Sequence, residues 1–201
     1  VSNDTVATAA SDLKALDAKT SVNVNASAVT AITGTAADVK TVLAAKTITL
    51  DKIDPGAVAV TVTGTVSAAD ANTIAKATGG VVTATVAAGT AASLVKALEN
   101  VTTDSDALTL KVTGTATAAD LISLIGKTTV DVDASKVTAI TGKAADVKIV
   151  VLSADISTAT NVAVTITDSL DATDLTDLNA IAAATSGKIT ATLEAAISDL
   201  N

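Results

Sequence analysis

One segment of the chain occurs twice in nearly identical form, and this duplication limits the possible folds more than any other feature. Residues 20–40 read TSVNVNASAVTAITGTAADVK, and residues 128–148 read TTVDVDASKVTAITGKAADVK. The copies start 108 residues apart and differ at only five aligned positions: Ser21/Thr129, Asn23/Asp131, Asn25/Asp133, Ala28/Lys136 and Thr35/Lys143. A chain with such self-similarity is expected to build its core from repeated units that pack against their neighbours.

Weaker copies between the strong ones define a shorter repeat. A strand-like segment ends every 25 to 30 residues, at Gly34, Gly64, Gly89, Gly114, Gly142 and Asp168. Four of these intervals span the 108 residues between the strong copies, so the basic unit has about 27 residues. We therefore predict a repeat solenoid in which residues 1–201 form a single array of about seven coils. Its higher-order repeat of four coils would divide it into residues 20–127 and 128–201.

Each unit contains a signal for the start of a helix. In Thr35-Ala-Ala-Asp38, a hydroxyl and a carboxylate have the spacing that satisfies free N–H groups at a helix N-terminus. Related signals begin at Ser67, Thr90, Thr117, Lys143 and Asp171. Because Lys143 replaces the capping hydroxyl, we expect its helix to have the weaker start. We also expect the glycine before each helix to adopt positive φ, with Asp168 tolerated in that role.

Short segments in which Val alternates with polar residues predict strands with one buried and one exposed face. The buried face is predicted to carry Val22, Ile48, Val60, Val82, Leu110, Val130 and Val164. The exposed face is predicted to carry Thr49, Thr61, Thr63, Thr83, Thr85, Thr113, Thr165 and Thr167. The predicted class is α/β, with a short helix and one or two parallel strands per coil, and an all-β parallel solenoid is the alternative. A turn is predicted at Asp54-Pro55-Gly56.

The side chains that the chain lacks exclude most catalytic chemistry. It has no Phe, Trp, Tyr, His, Cys or Met, and all 13 of its basic residues are lysines. The usual imidazole base, thiolate nucleophile and soft metal ligands are therefore missing, and we predict that the protein is not an enzyme and needs no cofactor. A formal net charge of −8 and the lack of aromatic rings for base stacking argue against a nucleic acid partner. No apolar segment is long enough to predict a membrane span.

Asp131 and Asp133 are the best candidates for a cation site. They occupy alternate positions of a predicted strand, so both carboxylates would lie on one face, with Ser135 nearby. Ca²⁺ prefers clustered oxygen ligands of this kind. In the first copy these positions hold Asn23 and Asn25, which would bind Ca²⁺ much more weakly. A solvated outer face without an ion is the competing interpretation.

Two other acidic clusters and the threonine rows have ordinary explanations. The clusters at residues 102–106 and 168–177 lie at predicted turns or helix starts, where capping and the helix dipole favour carboxylates. A flat row of exposed Thr could order water as ice-binding proteins do. Thr is also a favoured residue on any solvated strand, which is the simpler interpretation.

The repeated segments resemble a known kind of sequence. VTGTATAADL (residues 112–121), VTAITGTAADVK (29–40), VTAITGKAADVK (137–148) and NVAVTITD (161–168) are similar to the Ala/Thr/Val/Asp-rich repeats of very large secreted bacterial surface proteins. Such repeats are associated particularly with cyanobacterial proteins of the hemolysin-type and S-layer-associated kind. The resemblance covers essentially the whole chain and implies an extracellular or cell-surface location, with an export signal elsewhere in the precursor.

The repeat, the missing chemistry and the resemblance together predict a structural extracellular protein. It would form part of a surface filament, an S-layer or an adhesin shaft, by end-to-end or lateral stacking on copies of itself or on adjacent repeats of a longer chain. The alternative is a binding module whose Thr/Asp-rich outer face engages ice, a glycan or calcium.

Overall fold

The computed structural model describes residues 7–50, 57–101, 106–171 and 174–194. These residues form seven helices: α1 (Ala10–Asp17), α2 (Ala36–Ala44), α3 (Ala68–Ala77), α4 (Ala91–Ala97), α5 (Ala118–Ile125), α6 (Ala144–Leu152) and α7 (Leu175–Ala184). Their strands are β1 (Thr8–Ala9), β2 (Val24–Asn25), β3 (Ala31–Gly34), β4 (Ile48–Thr49), β5 (Ala59–Val66), β6 (Val82–Val86), β7 (Ala107–Thr109), β8 (Lys111–Thr117), β9 (Val132–Gly142), β10 (Ile156–Thr158), β11 (Ala163–Leu170) and β12 (Ile189–Leu193). The turn predicted at residues 54–56 lies outside the described residues.

The chain divides into two compact units. The first comprises residues 1–87, 97–109 and 127–129, and its main sheet is parallel with the strand order β1-β3-β5-β6-β7. A separate pair, β2 and β4, is also parallel. The helices α1, α2 and α3 follow one another in contact, and all three also contact the main sheet.

The second unit comprises residues 88–96, 110–126 and 130–201. Its sheet is parallel and contains β8 to β12, with β9 as the longest strand. β9 pairs with β8, with β10 at Val132–Ala134, and with β11 at Ala139–Gly142. β12 then extends the sheet from β11. The helices α5, α6 and α7 pack in sequence against one another.

The prediction of a repeat solenoid is wrong. The described residues form compact α/β units with seven helices and two five-stranded parallel sheets, and the helices also exclude the all-β alternative. The physical reason lies in the second strand of each predicted coil. β2, β4 and β10 have only two or three residues, which is too few to form the second continuous sheet that a coil requires. Each sequence repeat therefore reduces to a strand, a capped helix and a strand. The division of the sequence repeat into residues 20–127 and 128–201 stays a prediction.

The register of the short strands differs from the prediction at two valines. Val24 pairs with Ile48 and Val132 pairs with Ile156, and all four are buried. Val22 and Val130 precede these strands and are 70% and 39% exposed, so they do not belong to the core. Both lie in bends of the chain, so the extended alternation that directs Val24 and Val132 into the core has not yet begun. The other predicted core positions, Ile48, Val60, Val82, Leu110 and Val164, are buried as expected.

The helix starts follow the predicted caps. Thr35, Ser67 and Thr117 each accept a hydrogen bond from the N–H of the aspartate three residues later. The Thr90 hydroxyl accepts one from the Ser93 N–H at 3.3 Å. Each cap satisfies an N–H group that has no partner within its own helix.

The start of α6 is capped from another strand. Lys143 makes no side-chain capping bond, as predicted, but the Asp168 carboxylate of β11 accepts the Ala144 N–H at 3.0 Å. Of the five glycines before the helices, Gly64 and Gly114 have the expected positive φ, of 75° and 82°. Gly34, Gly89 and Gly142 do not, so the prediction is wrong at these three positions. Asp168 does not have positive φ, so the role predicted for it is wrong, and its side chain caps α6 instead.

Two buried threonines tie helix ends to strands at equivalent places in the repeat. The Thr78 hydroxyl donates to the Val58 carbonyl at 2.7 Å, and the Thr185 hydroxyl donates to the Val162 carbonyl at the same distance. Each hydroxyl also accepts the N–H of the glycine two residues later. A Cβ atom at Gly80 would lie 2.4 Å from the Val58 carbonyl oxygen. The backbone of residue 80 can therefore approach Val58 this closely only as glycine.

Candidate functional site

Asp131 and Asp133 lie where the sequence predicts them, on one face at the start of β9. Asp131 is exposed and Asp133 is half-buried, while Val132 between them is fully buried. The Asp133 Oδ1 atom accepts two hydrogen bonds from Ser135, one from its N–H at 3.1 Å and one from its hydroxyl at 2.6 Å. One carboxylate oxygen of the candidate site is therefore already engaged within its own turn.

The first copy of the repeat makes the same turn without a charge. The Asn25 Oδ1 atom accepts the Ser27 N–H at 3.1 Å and the Ser27 hydroxyl at 2.8 Å. Both turns are thus closed by a side-chain oxygen that substitutes for a backbone carbonyl. Because an amide performs this task as well as a carboxylate does, the turn explains Asp133 without a bound ion.

The charges around Asp133 also compete with a cation. Its pKa lies below the ordinary value of 3.8, first because Ser135 donates to the carboxylate and further because Lys111 and Lys136 are near. Lys111 of β8 is the register neighbour of Asp133. In the part of the chain that the structure describes, no three acidic residues come together as a metal-binding group. A calcium site at Asp131 and Asp133 stays a prediction, for which calorimetric titration of Asp131→Asn against the unmodified chain is the direct test.

The other acidic clusters serve the backbone. Residues 102–105 of the first cluster lie outside the described residues, whereas Asp106 is 8% exposed and its carboxylate accepts the Val82 N–H at 2.8 Å. Burial raises the pKa of Asp106, and the hydrogen bond from Val82 opposes that rise. In the second cluster, the Asp174 carboxylate accepts the Asp171 N–H at 3.0 Å, just before α7. Neither contact is the predicted helix cap, because Val82 belongs to a strand and the Asp174 side chain makes no capping bond to α7.

The threonine rows continue across the strands in register. In the second unit Thr117, Thr141, Thr165 and Thr190 are successive partners on β8, β9, β11 and β12. In the first unit Thr33, Thr61 and Thr83 are successive partners. The registers shift between Thr61 and Thr65 and between Thr165 and Ser169, which interrupts the flat, regular surface that ordered water would require.

A shallow groove of about 260 Å³ lies beside the Asp133 turn. It is lined by Ser135, Lys136, Val137, Thr138, Ala159, Asn161 and Val162. Two of its polar residues, Lys136 and Asn161, replace Ala28 and Ala57 at the matching positions of the sequence repeat. The groove therefore has hydrogen-bonding groups that the corresponding place in the first copy lacks.

Ion pairs that were not predicted from the sequence join successive helices. Lys14 of α1 pairs with Asp38 of α2, and Lys40 of α2 pairs with Asp70 of α3. In the second unit, Lys148 of α6 pairs with Asp177 of α7 at 2.6 Å. In each pair the lysine is the fifth residue of its helix and the aspartate is the third residue of the next, a recurrence that could have been found in the sequence.

These pairs have electrostatic consequences for their carboxylates. The hydrogen bonds from the lysines are the main cause that lowers the pKa of Asp38 and of Asp70 below 3.8. The hydroxyls of Thr35 and Ser67 lower these pKa values further. The third helical residue thus contributes both to the helix start and to the contact with the preceding helix.

None of the helices in the described part of the chain has the length and apolarity needed to cross a membrane. Comparison with known protein families, with characterised proteins and with solved structures finds no match to this chain.

Proposed function

We propose that the chain is a structural module of an extracellular or cell-surface assembly, in which it associates with further copies or with adjacent repeats of a longer chain. The observation that carries this proposal is the constancy of the packing positions. The fourth residue of the helix is buried in α1 to α6, as Leu13, Val39, Ala71, Leu94, Leu121 and Val147. All five positions that differ between the strong copies are exposed or half-exposed. A module that keeps its packing constant while its surface varies is suited to holding a shape.

The resemblance to bacterial surface repeats supports the setting. A filament, an S-layer or an adhesin shaft requires a module that presents the same contacts many times, and the recurring lysine–aspartate pairs are contacts of that kind.

The experiment is to image the purified chain by negative-stain electron microscopy and to measure its mass by sedimentation velocity over a wide concentration range. Ordered fibres, lattices or a concentration-dependent series of oligomers are expected. A chain that remains monomeric at the highest concentration would refute the proposal.

The groove beside the Asp133 turn supports a second candidate function, the binding of an acidic saccharide. Lys136 would face a carboxylate or sulfate group, and Asn161 and Thr138 would hydrogen-bond to hydroxyls. Titration with uronate oligosaccharides, followed by NMR, should shift resonances of the groove in the unmodified chain and not in Lys136→Ala. The same shifts in both proteins, or none in either, would refute this function.

A further inference from the structure

Each unit has a sheet edge at which the described strands have one partner only. In the first unit β1 pairs with β3 alone, whereas Leu108 of β7, at the opposite edge, also exchanges hydrogen bonds with the Thr128 hydroxyl. In the second unit β12 pairs with β11 alone. A strand edge with free N–H and C=O groups is a ready template for a further strand.

The sequence of β12 matches that of β6, a strand whose edge is covered by β7. ATSGKITATL (184–193), which contains β12, matches ATGGVVTATV (77–86), which contains β6. β6 is covered by β7, with Ala84 opposite Leu108, and its Val82, Ala84 and Val86 are buried. The matching residues of β12, at positions 189, 191 and 193, are half-buried or exposed, with Leu193 54% exposed. The edge of β12 therefore has the sequence of a strand that is covered elsewhere in this chain.

The backbone of β12 points in the direction needed to accept a strand. The Glu194 N–H donates to the Leu170 carbonyl of β11, and the Lys188 carbonyl accepts the Val164 N–H of β11, both at 2.8 Å. Since alternate residues of a strand direct their N–H and C=O groups to opposite sides, Ala191 directs its groups away from β11. Ala84, its equivalent in β6, directs its groups toward β7.

The helices next to the two edges, α7 and α1, each expose an apolar residue whose position is buried in most of the other helices. The fourth helical residue, buried in α1 to α6, is half-exposed in α7, as Leu178. The seventh is buried in α2, α3, α5, α6 and α7, as Val42, Ile74, Leu124, Val150 and Ile181. In α1 it is Leu16, which is 53% exposed. Leu178 of α7 and Leu16 of α1 thus lack the cover that the same positions have in most of the other helices.

From these observations we infer that the β12/α7 edge of one copy receives the β1/α1 edge of a second copy. β1 continues the parallel sheet beyond β12, and α1 packs on α7 as α7 packs on α6. In this arrangement the third residue of α1, Asp12, faces the fifth residue of α7, Asn179, just as Asp177 faces Lys148 within the chain. The contact joins two different surfaces and can repeat without closing. The inference rests on the proposed structural function and specifies its interface.

The test measures the dissociation constant of self-association by sedimentation velocity in four variants. Ala191→Pro removes the outward N–H and should weaken association at least tenfold, whereas Ala191→Ser keeps that N–H and should leave association unchanged. Asn179→Lys places a lysine opposite Asp12 of the second copy and should tighten association about two- to fivefold at low salt. Adding Asp12→Asn to Asn179→Lys should abolish that gain.

The outcomes separate this interface from the function on which it rests. An unmodified chain that assembles, together with Ala191→Pro that assembles equally well, overturns the interface and leaves the structural function standing. A gain from Asn179→Lys that survives Asp12→Asn also overturns it, since another surface would then supply the contact. An unmodified chain that stays monomeric overturns both. Should Ala191→Pro fail to fold, as judged by circular dichroism, the Asn179→Lys pair decides alone.

Discussion

At the start of α6, a side chain from another strand replaces the helix cap that is missing from the helix's own N-terminus. Lys143 cannot cap the helix as Thr35 caps α2, and the Asp168 carboxylate accepts the Ala144 N–H at 3.0 Å instead. Ala144 is only 1% exposed, so water cannot easily replace that acceptor. We expect Asp168→Ala to lower the free energy of unfolding by about 1–2 kcal/mol, the usual cost of a lost cap or of a buried N–H left without a partner.

Two further variants assign that loss to the hydrogen bond. Asp168→Asn keeps an acceptor oxygen and should cost clearly less than Asp168→Ala. Lys143→Thr, added to Asp168→Ala, should recover about 1 kcal/mol because its hydroxyl can accept the Asp146 N–H, whereas Lys143→Ala should recover nothing.

Thermal and urea unfolding, followed by circular dichroism, measure these differences, and about 2–4 °C of melting temperature corresponds to each kcal/mol for a chain of this size. If Asp168→Ala leaves the unfolding curve unchanged, or if Asp168→Asn costs as much as Asp168→Ala, the cap from the neighbouring strand contributes nothing and the argument is refuted.

Three other predictions follow from the packing and the charges. Val132→Asp should destabilise the fold by several kcal/mol because it buries an unpaired charge, whereas Thr61→Ser on the exposed face should do little; equal losses in urea unfolding would contradict the inward and outward assignment. Ile122→Lys places a lysine at the fifth position of α5, opposite Asp146 at the third position of α6, and should add about 0.2–1 kcal/mol at low salt that disappears in 1 M NaCl. Because the pKa of Asp106 is raised in the folded chain, its contribution to stability is greatest at low pH and is lost as the pH rises from 3.8 through that raised value. Asp106→Asn, which keeps the acceptor oxygen, should therefore gain in melting temperature relative to the unmodified chain between pH 3 and pH 7, and an opposite trend would show that the carboxylate is needed in its charged form.

Helix starts could be predicted from the sequence because capping is local. Thr35 and Asp38 are three residues apart, so the geometry that joins them depends on the helix itself and hardly on the rest of the fold. The burial of Val60, Val82 and Val164 followed from strand alternation in the same way. The five positions at which the strong copies differ all lie outside the core.

The failures concern contacts between distant segments. Val22 and Val24 have the same local pattern, but Val24 pairs with Ile48 and is buried, whereas Val22 lies in a bend before β2 and is exposed. The carboxylates of the candidate cation site show the same limit. The two alternating aspartates are evident in the sequence, but Lys111 becomes a neighbour of Asp133 only when β8 pairs with β9.

The sequence by itself determined the period of the units, the positions of their helices and most of the residues that enter the core, because these depend on interactions over a few residues. The tertiary structure decided how the strands pair, and it replaced the predicted coils by two five-stranded parallel sheets. It also decided which charges meet, as in the pairing of Lys148 with Asp177 and in the cap that Asp168 provides for α6. These contacts join residues 24 or more positions apart, and their free energy depends on the register of whole strands and helices, which no short segment specifies.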